Sequence, residues 1–106
     1  MKQHRYRIKV EHLATAKPGG PLHDPLQFET GNHDEILGVA DRMRENSGFD
    51  ADTAASLGIG LKLFSEVMLM HRDDPLFAGI AGPLREFIGV LKARGKKPEP
   101  VSDVLP

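Results

Sequence analysis

The stretch from Ala51 to Arg72, ADTAASLGIGLKLFSEVMLMHR, limits what this chain can fold into more than any other segment. Wound at about 100° per residue, its apolar side chains, from Ala54 and Leu57 through Ile59, Leu61, Leu63, Phe64, Val67 and Met68 to Met70, cover an arc of roughly 220°. An ordinary surface helix needs a stripe of only ~100°. The remaining strip carries Lys62, Ser65 and Glu66. Such a helix requires cover on two sides, so it is expected as the central post of the fold or the seam of an oligomer. Leu61 and Phe64, near the middle of the arc, are expected in the core, with Lys62 outside. Gly58 and Gly60 each cost a helix roughly 1 kcal/mol relative to alanine. The apolar register runs through both without a change of phase, which predicts one continuous helix with a close-packing notch.

The segments around this helix are shorter. Tyr6, Ile8 and Val10 alternate with Arg5, Arg7 and Lys9, the period-two signature of a half-buried strand of about ten residues over His4–Leu13. Leu26, Phe28 and Thr30 alternate with Gln27 and Glu29 in a second strand, and ATAKPGGPLHDP between them can extend neither strand nor helix. Antiparallel pairing would set Arg or Lys of the first strand across from Glu29. Asn32 with Glu35 three residues on reads as a capping box opening a helix that carries Ile36, Leu37, Val39, Ala40 and Met43, closed by Asn46-Ser47-Gly48. Asp50 or Asp52 caps the central helix. Asp74-Pro75 opens a short helical turn, and Pro83 starts a last helix ending at Arg94-Gly95. The fold class expected is α+β: a small antiparallel sheet followed by three main helices, the central one sandwiched. Residues 1–94 form a single domain, and 95–106, rich in proline and without periodicity, form a disordered tail.

Four separated blocks, HRYRIKVEHL at 4–13, PLQFETGNHDEI at 25–36, GLKLFSEVML at 60–69 and DPLF at 74–77, are similar in order to a family of small bacterial proteins known as domain of unknown function 3861. The resemblance covers residues 3 to 92 and implies a free-standing cytoplasmic protein. It brings no catalytic residues with it, because none is assigned to the family.

Composition narrows the chemistry. Fourteen basic and fifteen acidic side chains give a net charge of −1, which argues against a nucleic-acid or membrane-surface partner. Arg5, Arg7 and Lys9 make a basic row, but no aromatic residue is interleaved on that face for base stacking. The absence of cysteine removes disulfides, thiol nucleophiles and thiolate metal sites. The N-terminus lacks the apolar core of a secretory signal, and no run is read as a membrane span. The five histidines, His4, His12, His23, His33 and His71, show no paired spacing on a helix, so neither a metal nor another cofactor is expected.

Acid–base chemistry has one weak candidate group: Glu66 and Lys62, one helical turn apart on the polar strip, with His71 at the end of the same helix. A surface ion pair is the simpler explanation of Lys62 and Glu66. The reading favoured is a non-enzymatic cytoplasmic protein that forms a homodimer or binds a protein partner. Its motive is a central helix with more apolar surface than the small sheet can cover. The alternative is a small-molecule binder or enzyme with a pocket near Lys62, Glu66 and His71.

Overall fold

The computed structural model describes residues 2–95 and divides them into two compact units, 2–34 and 35–95. The tail expected from residue 95 lies outside the described residues from position 96 onward, and Gly95 is the last residue of a helix. Two antiparallel strands and three helices make the fold mixed α+β.

The first unit is a ribbon of β1 (His4–Val10) and β2 (Leu26–Asn32). The register sets Ile8 opposite Phe28, Val10 opposite Leu26, and Arg7 opposite Glu29. Arg7 Nη2 lies 2.9 Å from Glu29 Oε2, and Arg5 reaches the same carboxylate at 3.9 Å, so the expected cross-strand charge pairing is present. The first strand is shorter than its alternation suggested. Both strands have 7 residues and pair along their whole length. The loop between them replaces ladder pairing with side-chain bonds. Thr15 Oγ1 accepts from the Gly20 N–H at 3.2 Å, and His12 Nδ1 accepts from the His23 N–H at 2.8 Å. Gly19 takes φ +80°, a conformation open to glycine and strained for most L residues.

The second unit contains α1 (Ile36–Asn46), α2 (Ala51–Met70), a 3₁₀ turn at Pro75–Phe77, and α3 (Ala81–Gly95). The capping box is displaced. Asn32 ends β2, and its buried side chain accepts from the Asp34 N–H. Glu35 caps α1 instead, its carboxylate accepting from the Leu37 and Gly38 N–H groups at 3.0 Å each. A carboxylate at that position also faces the positive end of the helix dipole. Gly48, at φ +88°, follows the end of α1 as expected. Asp50 caps α2 and is held below the usual carboxylate range, first by the Thr53 hydroxyl and then by the Thr53 N–H. A lowered folded-state value means the cap contributes fully above the ordinary carboxylate range and fades as acid protonates it.

Helix α2 is continuous, but its inward face is not the one its hydrophobicity suggested. Ala54, Gly58 and Glu66 are buried, Leu61, Lys62 and Ser65 are half-buried, and Phe64 and Val67 are exposed. The expectation of Phe64 in the core and Lys62 outside is thereby corrected. Close approach is the reason. At Gly58 an added Cβ would lie 3.2 Å from Met43 Cγ and 3.6 Å from Ala40 Cα, a gap that small residues allow and a phenylalanine would not. Around Gly60 an added Cβ would meet nothing within 4 Å. Gly60→Ala is therefore expected to stabilise the chain by about 0.5–1 kcal/mol through helix propensity alone. Gly58→Ala should gain less, because Met43 must move. Urea denaturation of the two variants checks the order.

Over its 20 residues α2 also reaches the length and hydropathy of a membrane span, with a mean hydropathy of 1.3 over its best window. On that count the sequence does contain a run of spanning length, although core helices of soluble folds meet the same criteria.

Candidate functional site

The two hollows that Lys62 and His71 line are different ones. Lys62 lines a groove between the three helices, and His71 lines a separate depression formed by residues 69–74. Glu66 lines neither of these two and is only 6 % exposed. Lys62 and Glu66 each have a polar or electrostatic partner. His71 ends α2, its N–H donating to the Val67 and Met68 carbonyls. Nine positions separate it from Lys62, about half a turn around the helix axis. His71 thus faces away from the pair with which an acid–base site would need it to converge.

The other histidines are scattered. His12 and His23 bond across the β1–β2 loop, His4 rests near the Tyr6 ring at 6.4 Å between centroids, and His33 Nε2 lies 3.7 Å from Asp34 Oδ2. Among the described residues no three His, Asp or Glu side chains gather as a metal site requires.

The groove that Lys62 lines is mostly apolar and draws on all three helices. It encloses about 300 Å³. Val39, Arg42, Met43 and Asn46 come from α1; Gly58, Leu61, Lys62 and Ser65 from α2; Ile88, Leu91 and Lys92 from α3. Its floor is apolar, and each helix contributes one cation. Reasoning from the sequence passed over Arg42 and Lys92. No signal within one helix marks them: each stands three or four residues from an apolar lining residue, as many exposed cations do, and the three meet only through packing. The last turn of α3 is fastened nearby in sequence, where the Arg94 guanidinium sits 4.7 Å over the Phe49 ring.

A crystal structure of a protein of unknown function from Pectobacterium atrosepticum is similar to this chain at 29 % identity and a TM-score of 0.73. The similarity covers 87 % of this chain and 99 % of that one. No curated protein matches the chain. A family model described as "Domain of Unknown Function with solved-structure structure (DUF3861)" matches residues 4–93, across both units, and the chain belongs to that family.

Proposed function

We propose that this chain is a small, non-enzymatic cytoplasmic protein that works by pairing with a second copy of itself. The observation that carries the reading is the outer face of α2. Phe64, Val67 and Met70 are 42 %, 51 % and 64 % exposed, while Glu66 on the same helix is buried. A helix that turns a carboxylate inward and a phenylalanine outward has surface suited to an apolar partner. The ribbon adds to this, since Val10 and Leu26 pair on one face and both are exposed. A two-stranded ribbon is marginal in water without further cover.

Association between two copies fits the two-fold symmetry usual for small assemblies. Nucleic acid has no part in the reading, because Glu29 engages Arg5 and Arg7 of the basic row. Membrane insertion has none either: Lys62 alone, near the middle of α2, would oppose it by about 2.5–3.5 kcal/mol.

Sedimentation equilibrium over a range of concentration tests the proposal. The expected mass is twice the 11.6 kDa of one chain. Val67→Glu, a change at an exposed position, is expected to return the mass to one chain with the circular dichroism spectrum unchanged. A wild-type mass of one chain at every concentration overturns self-association.

A further inference from the structure

We infer that the groove between α1, α2 and α3 binds an amphipathic anion, an alkyl or acyl chain bearing one negatively charged head. Two features of the lining lead to this, and they point the same way. Along the floor lie Val39, Met43, Leu61, Ile88 and Leu91, which offer an apolar chain a dry track. Arg42, Lys62 and Lys92 line it as well, and among the described residues no carboxylate does.

The three cations come from three different helices. Helical periodicity on one element cannot produce that arrangement; it exists only because the helices pack as they do. Lys62 already has a partner. Among the described residues, Arg42 and Lys92 have no ion pair, so these two are the ones free to receive a head group. Ser65 and Asn46 add a hydroxyl and an amide to the same lining. A volume of about 300 Å³ lies at the small end of ligand sites, which run from roughly 300 to 1,000 Å³, and suits a single chain rather than a docked helix about 10–12 Å across. The bland account is that three long side chains snorkel around a loosely packed seam while their charges stay in water. That account predicts no preference for an anion.

Titration calorimetry of the full chain with octanoate, octanol and acetate separates the two. Octanoate is expected to saturate one site per chain. Octanol, with the same tail and no charge, should bind at least about tenfold more weakly, and acetate should give no signal, since a charged head adds roughly a factor of ten or more. The double change Arg42→Gln and Lys92→Gln should weaken octanoate about tenfold and leave octanol unaltered, with the melting curve preserved. The groove faces away from Phe64 and Val67, so Val67→Glu should leave octanoate binding intact, and loss of the dimer would not be mistaken for loss of the site. Octanol binding as tightly as octanoate, an unaffected double variant, or no saturable octanoate binding overturns the inference. Sedimentation with phosphatidylglycerol vesicles in a chain that ignores free octanoate would overturn it as well, by placing the cations on a lipid surface.

Discussion

Phe77→Ala is expected to lower the stability of the chain by about 3–5 kcal/mol. Phe77 is 8 % exposed, although it belongs to a single 3₁₀ turn of three residues. Its ring meets the edge of Phe64 at 6.1 Å and 73°, a geometry that adds about 0.5–1.5 kcal/mol beyond simple burial. The turn is set for this purpose. The Asp74 side chain accepts from the Leu76 N–H at 2.9 Å, and Pro75 fixes the backbone that follows. Truncation leaves a cavity that a turn so short and so bonded cannot close. Leu76→Ala is the control, because Leu76 is exposed and its loss should stay within about half a kcal/mol. Equal midpoints for the two variants in urea would show that the turn does not pin the connection between α2 and α3.

Ile36→Ala should cost about 2–5 kcal/mol. At 1 % exposure Ile36 is the largest fully buried side chain, and it is also the first residue of α1. The Glu35 cap fixes the helix start through two backbone bonds, so the backbone at Ile36 has little room to relax into the space a missing side chain would leave. Leu37, its neighbour, is exposed and supplies the comparison. A loss below about 1 kcal/mol for Ile36→Ala would mean that the start of α1 collapses freely around the gap.

Local rules written in neighbouring residues were legible from the sequence. The strand alternation pointed to a paired ribbon with an Arg or Lys across from Glu29, and the register makes that residue Arg7. An aspartate cap on α2, Gly48 as helix end and the turn at Asp74-Pro75 all depend on one or two side chains and their own backbone, and all are found in the fold, which chooses Asp50 over Asp52 for the cap. Asn32 and Glu35 show the limit of such rules. Both are good caps, and the choice between them depends on how far β2 extends, which pairing with β1 decides.

The orientation of α2 was hidden for a different reason. Hydrophobicity ranks Phe64 and Val67 above Ala54 and Gly58, whereas a close helix contact ranks them in reverse because it selects for small volume. The shape of Ala40 and Met43 on the facing helix decides which ranking applies, and no periodicity within α2 encodes it. The same gap explains the site. Arg42, Lys62 and Lys92 are unremarkable on their own helices, and only packing brings them to one groove.

The contact at Gly58 has a mechanical consequence. Two helices in such close approach act as a rail, with little freedom to roll or slide, so two sides of the groove are stiff. Helix α3 touches α1 more sparingly and is pinned at its far end by one cation on one ring, Arg94 on Phe49. Compliance in this unit is therefore unequal: the width of the groove belongs to α3 and its length to the rail. A bound chain would be gauged along the fixed direction and accommodated across the yielding one, so the site should discriminate ligands by reach more sharply than by girth.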